Sequence, residues 1–184
     1  MKYLVTAAAL LALPQMALAQ QVTGTINLTG VVAGRCSVLA GGQAFSETIN
    51  LGELSGNDGR LRTDLTDASP DAVRNYSIVC TSATPRVILS ATRLSTGTTA
   101  PAGYANNIDY TAQVAVLQAS GTPPSITYVT ASALPAPTNV QLTAPLANAA
   151  DNVTVRVHSF RTAAGALLVA GSYTSVIQIT ISPT

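Results

Sequence analysis

The chain has 184 residues, of which 47% are hydrophobic and only 9% are charged, and its formal net charge at neutral pH is +1. Nine basic and eight acidic residues leave no excess of positive charge for binding nucleic acid or an anionic membrane surface. Lys2 is the only lysine, so its removal with a leader would exclude lysine-dependent catalysis and isopeptide cross-links. The remaining chain would be formally neutral, which favours close self-association over mutual repulsion.

Residues 1–19 have the pattern of a secretory signal peptide. Lys2 supplies the positive start, residues 4–13 form an apolar run, and Ala17-Leu18-Ala19 has the small-x-small form of a cleavage signal. The apolar run is well short of the ~20 residues that a membrane-spanning helix needs. We therefore expect cleavage after Ala19 and export of residues 20–184, a length that suits one domain.

Residues 21–32, QVTGTINLTGVV, alternate with the period of two that predicts a β-strand with one buried face. That face would carry Val22, Gly24, Ile26, Leu28, Gly30 and Val32. Glycines on a buried face weaken a strand by itself but let another backbone approach closely. We interpret this segment as a strand that inserts into the sheet of another molecule.

The two cysteines, Cys36 and Cys80, both follow the leader. An even pair of cysteines in an exported protein predicts one disulfide bond. The bond would close a loop of roughly 45 residues and contribute about 4 kcal/mol in the chain-entropy description. A metal-binding or catalytic cysteine is the alternative, but metal sites need several ligands at short spacing and His158 is the only histidine.

Between the cysteines the sequence predicts a short strand around Phe45 to Leu51, a turn at residues 55–59, and a polar loop with room for one helical turn at residues 60–71. Four aspartates in this region do not have the spacing of a calcium-binding EF-hand loop, so we interpret them as solvated turn residues. They are Asp58, Asp64, Asp67 and Asp71.

From Asn75 onwards short alternating segments are separated by turns rich in glycine, proline and threonine. Strands are expected at residues 75–81, 86–91, 108–117, 125–130, 139–143, 152–160 and 173–181, with a brief apolar run at 167–170. Alternation places Tyr76, Ile78, Cys80, Ile108, Tyr110, Ala112, Val114, Val116, Val153, Val155 and Val157 on inward faces. No segment has a convincing helical period, so the sequence predicts an all-β sandwich or barrel.

Both ends of the chain and its cysteines resemble the pilins of chaperone–usher fimbriae. The similarity rests on the run from Gly24 to Val32 with Cys36 soon after it, on Cys80 at the place of the family's second cysteine, and on Gly171-Ser172-Tyr173 before the closing strand. The middle of the chain matches only in pattern. Residues 108–110 are also similar to the archaic, spore-coat-U-like branch, so the type-1-like and archaic branches both stay open. In a departure from the family, Pro183 stands where an aromatic residue is common.

The resemblance implies an incomplete immunoglobulin-like β-sandwich that lacks its last strand and is completed by donor-strand exchange. Residues 1–19 would be the signal peptide, 20–33 the N-terminal donor-strand extension, and 34–184 the pilin domain. Val22, Ile26, Leu28 and Val32 would fill pockets of a neighbour's groove, with Gly24 at a close approach. The closing strand would present Tyr173, Ile177, Ile179 and Ile181 to the core beside that groove, although simple sheet core is an equal interpretation of these four residues.

The function implied by the resemblance is structural: a subunit of a surface pilus, with the repeated shaft subunit as first choice, supporting adhesion or biofilm formation. Expected partners are identical or related pilin subunits, a periplasmic chaperone and an outer-membrane usher, on a route through the periplasm to the cell surface. No cofactor, metal or nucleic acid is expected. A minor adaptor pilin and a secreted soluble binding or adhesin domain remain alternatives. A secreted enzyme is disfavoured, because the sequence has no nucleophile elbow or zinc-protease motif and His158 lies among alternating valines.

Overall fold

The computed structural model describes residues 24–39, 42, 44–65, 72–131 and 133–184. The leader expected at residues 1–19 and the first residue of the proposed inserting face, Val22, lie outside these ranges. The chain divides into two compact units, residues 1–31 and residues 32–184. In the described part of the first unit, residues 24–31, there is no helix or strand, and the side chains of Ile26 and Leu28 are 87% and 93% exposed.

The second unit is all-β, as predicted. Its described residues form twelve strands and one turn of 3-10 helix, Thr63–Leu65, which lies in the loop where a helical turn was expected. The strands are β1 Cys36–Val38, β2 Val73–Tyr76, β3 Ile78–Cys80, β4 Arg86–Ala91, β5 Leu94–Ser95, β6 Tyr104–Ala105, β7 Asn107–Val116, β8 Ser125–Val129, β9 Thr138–Gln141, β10 Val153–Arg161, β11 Leu167–Leu168 and β12 Ile177–Ser182. The structure contains no helix with the length and apolar character to cross a membrane, among the residues it describes.

Two larger antiparallel sheets organise this unit, in an arrangement compatible with a β-sandwich. One has the strand order β2-β10-β7-β5, with β8 also paired to β7, and the other has the order β12-β4-β9. Two small pairs complete the set, β1 with β3 antiparallel and β6 with β11 parallel. Antiparallel pairing suits strands with one buried face, because alternate residues meet the core while the others meet solvent.

The hydrophobic core is built from alternate residues of the long strands. On β7 and β10 the inward residues expected from the alternation are all buried, which confirms the prediction for Ile108, Tyr110, Ala112, Val114, Val116, Val153, Val155 and Val157. The other sheet contributes Val87 and Leu89 from β4, both with no exposed surface. On β7 and β10 most of the intervening positions are polar, so the period of two in the sequence correctly identifies the buried face of these two strands.

The predicted disulfide is confirmed. Cys36 and Cys80 are bonded to one another and are also directly paired in the ladder between β1 and β3, with their Cα atoms 4.0 Å apart. The bond thus joins the start of the second unit to the end of β3. No other cysteine remains in the chain.

The prediction of a strand around Phe45 to Leu51 is wrong. Residues 44–50 form no strand, and side chains rather than a backbone ladder hold the segment in place. The ring of Phe45 stacks on Tyr76 with centroids 4.1 Å apart, and the Glu47 carboxylate accepts hydrogen bonds from Arg74 Nε at 2.7 Å and from the Tyr76 hydroxyl at 3.0 Å. Two further differences are the short strands β5 and β6, which were not predicted, and the start of β12, which lies at Ile177 rather than at residue 173.

Candidate functional site

A long cleft lies beside β12 in the second unit. It consists of two adjoining cavities of about 740 and 730 Å³, which share Thr48, Ile49, Leu51, Leu94 and Tyr173 in their linings. Residues 45–55 form one wall and residues 168–179 form the other. We call this cleft the β12 groove.

The β12 wall is the edge of a sheet. Among the described strands β12 pairs with β4 alone. The Thr92 amide donates a hydrogen bond to the Val176 carbonyl at 2.9 Å, which marks this pair as facing β4. In an antiparallel ladder the orientation alternates along the strand. The amides and carbonyls of Ile177, Ile179 and Ile181 therefore point towards the outer edge of the sheet.

The side chains on this wall are only partly covered. Ile177, Ile179, Ile181 and Tyr173 all pack against the core but keep part of their surface exposed. The first two isoleucines and Tyr173 line the groove, whereas Ile181 is not part of its lining. Val176, at the rim, is 66% exposed. An apolar strip beside an unpaired strand edge is a surface suited to receiving another strand.

The floor of the groove is apolar. Its central residues are Leu94, Tyr110, Val155, Val157 and Phe160. The rings of Tyr110 and Phe160 lie 5.8 Å apart in a tilted arrangement, and both residues are almost fully buried. Aromatic pairs of this kind contribute beyond their buried area, so this pair adds to the packing of the floor.

The tyrosine hydroxyls at the groove are engaged with the protein itself. The Tyr110 hydroxyl bonds to Ser175 Oγ, which in turn donates to the Thr92 carbonyl at 2.8 Å. The Tyr173 hydroxyl lies 2.9 Å from the Val169 carbonyl and 3.0 Å from that of Ala105. Burial raises the pKa of Tyr110 and of Tyr173, so both remain protonated donors. These two hydroxyls are therefore committed to hydrogen bonds within the protein.

The wall opposite β12 carries the acidic residues of the groove, Glu47 and Glu53. Burial, together with the hydrogen bond to Glu47, raises the pKa of Tyr76 to about 12. The neighbouring Arg74 guanidinium pairs with the same carboxylate. Hydrogen bonds from Ser55 lower the pKa of Glu53. The Glu47 carboxylate thus ties the wall to β2, whereas the Glu53 carboxylate bonds only within the wall itself.

The groove includes residues that the sequence interpretation did not assign to a site. Phe45, Ile49 and Leu51 line it from the side opposite β12, and all three pack against the core while staying partly exposed. The alternation of apolar side chains from Phe45 to Leu51 was a usable signal, but it suggested a strand in the sheet rather than a wall without a ladder.

The residues expected on the inserting strand are exposed where the structure describes them. Ile26, Leu28 and Val32 are 87%, 93% and 81% exposed, and an added Cβ at Gly24 or Gly30 would meet nothing within 4 Å. Exposed large aliphatic side chains in a row are unusual in a soluble protein and indicate an interaction surface.

His158 lies at an irregularity of β10, where the register with β7 shifts and Ser159 adopts a φ of 56°. Its Nδ1 lies 2.8 Å from Ser159 Oγ, while Nε2 is buried without a hydrogen-bond partner among the described residues. Burial, and then the charge of Arg156, lower the pKa of the imidazole. In the part of the chain that the structure describes, no cluster of three or more histidine, cysteine or acidic residues could hold a metal ion.

Comparison of the chain with protein-family models, with curated protein sequences and with solved structures found no match. The features of this chain that point to a function are the β12 groove and the exposed apolar side chains of Ile26, Leu28 and Val32.

Proposed function

We propose that the chain is a structural subunit of a chaperone–usher surface pilus, most simply its repeated shaft subunit, which polymerises by donor-strand complementation. The second unit is then an immunoglobulin-like sandwich that lacks its last strand. Residues 22–32 of one copy supply that strand to the next copy. The observation that carries this proposal is the β12 groove, where an unpaired strand edge borders a row of partly exposed isoleucines.

The inserting segment is long enough to follow β12. A strand rises by about 3.3 Å per residue, so the six residues of β12 span roughly 20 Å and residues 22–32, when extended, span roughly 36 Å. The alternation of the inserting segment directs one face inwards and leaves its threonines outwards. The segment has no charged residue, so an apolar groove can cover it without burying a charge.

The free energy for insertion comes from surface that is still exposed in the free chain. Ile26 and Leu28 are nearly fully exposed. Complete burial of each aliphatic side chain contributes about 1.5–3 kcal/mol. Main-chain hydrogen bonds to the outer edge of β12 add affinity that does not depend on sequence. Ordering the segment offsets part of this gain.

An open groove is a hazard before assembly, because unpaired edges promote aggregation. This supports an assembly route in which a periplasmic chaperone covers the groove and an outer-membrane usher brings subunits together. The disulfide agrees with passage through an oxidising compartment. The same groove would serve a minor adaptor subunit equally well.

Two complementary variants test the proposal. A variant lacking residues 20–32 keeps its groove and cannot donate, whereas Ile179→Asp keeps its donor segment and introduces a charge into the groove. Each variant alone should stay monomeric, and a mixture of the two should stop at a one-to-one dimer, measured by size-exclusion chromatography with light scattering. Thr180→Asp, on the exposed face of β12 and outside the groove lining, is the matched control and should polymerise like the unaltered chain.

A chain that stays monomeric in all forms would contradict the pilin proposal and favour a soluble binding domain. Long fibres from the variant lacking residues 20–32 would also contradict it, since that variant has no strand to donate.

A further inference from the structure

The three residues between the proposed donor strand and β1 are held to the body of the second unit. We call Ala33, Gly34 and Arg35 the root segment. The Arg35 amide donates to Thr81 Oγ1 at 2.9 Å, and the same hydroxyl donates to the Ala33 carbonyl at 2.9 Å. The Thr81 amide donates to the Arg35 carbonyl, also at 2.9 Å. One residue thus closes three hydrogen bonds on the root segment.

The position of Thr81 is itself fixed. It directly follows Cys80, and Arg35 directly precedes Cys36, so the disulfide and the ladder between β1 and β3 bring the two residues together. The side-chain bonds therefore form without ordering a long, free segment. Ordering the root segment costs little conformational entropy, because the adjacent disulfide and strand ladder already restrict the backbone there.

The middle of the root segment also packs closely. A Cβ added at Gly34 would lie 3.1 Å from Cβ of Pro183. Glycine at this position lets the root segment lie directly against the proline ring. Pro183, which departs from the family pattern, thereby has a structural role in this chain.

We propose that Thr81 is a positioning residue that sets the direction in which the donor strand leaves the subunit. This inference rests on the proposed function, because the direction matters only if the strand enters a neighbour. Three free residues reach at most about 10 Å and would let consecutive subunits swivel about soft backbone dihedrals. A root segment held by Thr81 removes that freedom and fixes the angle between consecutive subunits.

The test compares Thr81→Val, which removes the hydroxyl at nearly constant shape, with Thr81→Ser, which keeps it. Hydrogen exchange of the Arg35 amide is measured in each full-length protein. In Thr81→Val the Arg35 amide loses its hydrogen-bond acceptor, so its exchange rate should rise by as much as about tenfold. Thr81→Ser keeps the acceptor and should exchange at the original slow rate. Thr127→Val, at an exposed threonine of β8, controls for the substitution itself.

The same proteins are then imaged as fibres by electron microscopy. Thr81→Val fibres should show a wider spread of angles between consecutive subunits, while Thr81→Ser and Thr127→Val fibres keep the original spread. Equal exchange rates in Thr81→Val and the unaltered chain, or equal angular spreads, would overturn the inference. Absence of fibres from the unaltered chain would instead overturn the proposed function, and the exchange rates would still report on the root segment.

Discussion

Replacing Ile26 by alanine should weaken the contact between subunits without weakening the subunit. Ile26 is 87% exposed in the free chain, so almost its entire side chain remains to be buried in a neighbour's groove. Alanine lacks three of its carbons, which at about 0.8 kcal/mol per buried methylene removes roughly 2–3 kcal/mol. Dissociation of neighbouring subunits should therefore become roughly 30- to 150-fold more favourable.

The assay is fibre dissociation in increasing guanidinium chloride, followed by light scattering, together with unfolding of the dissociated subunit followed by circular dichroism. Fibres of Ile26→Ala should dissociate at lower denaturant concentration, while the unfolding midpoint of the subunit stays the same. Thr25→Ala, one residue away on the opposite face of the predicted strand, is the matched control and should change neither.

Two results would refute this reasoning. Weaker fibres from Thr25→Ala but not from Ile26→Ala would show that the other face of the segment is inserted. Unchanged fibres from both, or a subunit that itself unfolds earlier in Ile26→Ala, would show that Ile26 contributes to its own subunit rather than to a neighbour.

Three further predictions concern the stability of the second unit. Replacing Cys36 and Cys80 by alanine should lower the free energy of unfolding by about 4 kcal/mol, measured by denaturant titration against the unaltered chain, and an equal midpoint would contradict this. Asn152→Ala should cost about 3 kcal/mol, because buried Asn152 both accepts from the Ile78 amide at 2.8 Å and donates to its carbonyl at 2.7 Å. The raised pKa of Tyr76 means that the folded state holds this proton more tightly than the unfolded state, so stability should fall as the pH rises from 10 through about 12. This loss should be smaller in Tyr76→Phe, and identical pH profiles would exclude the assignment.

The sequence predicted the long strands well because their environment is simple. Along β7, and along β10 up to its irregularity at His158, alternate residues face the core, and hydrophobicity records nearly all of these positions, with buried Thr111 as the exception. The disulfide could be predicted equally well, because two cysteines allow only one intramolecular pair.

Only one wall of the β12 groove could be predicted from the sequence. Its β12 wall follows from the alternation of Ile177, Ile179 and Ile181, but the opposite wall depends on contacts far apart in the chain. Phe45 and Glu47 are held by Tyr76 and Arg74, and nothing local in the sequence indicates that side chains replace a ladder there. A period of two predicts an extended segment and not its hydrogen-bonding partner.

Single polar residues with structural roles were not predictable at all. Asn152 was predicted only as the first residue of a strand, yet it is buried and bonds to three backbone groups, the amide and carbonyl of Ile78 and the carbonyl of Ala147. Thr81 reads as one of many threonines, yet it holds the root segment. Such roles are set by tertiary geometry, which a one-dimensional pattern does not contain.

The most direct test of the account is a cryo-electron-microscopy map of the assembled protein at a resolution that shows side chains. The account predicts that residues 22–32 of each subunit lie hydrogen-bonded along the outer edge of β12 in the next subunit, with Ile26 and Leu28 in the groove. A map in which these residues complete the sheet of their own subunit, or in which subunits meet while their β12 grooves stay empty, would contradict it.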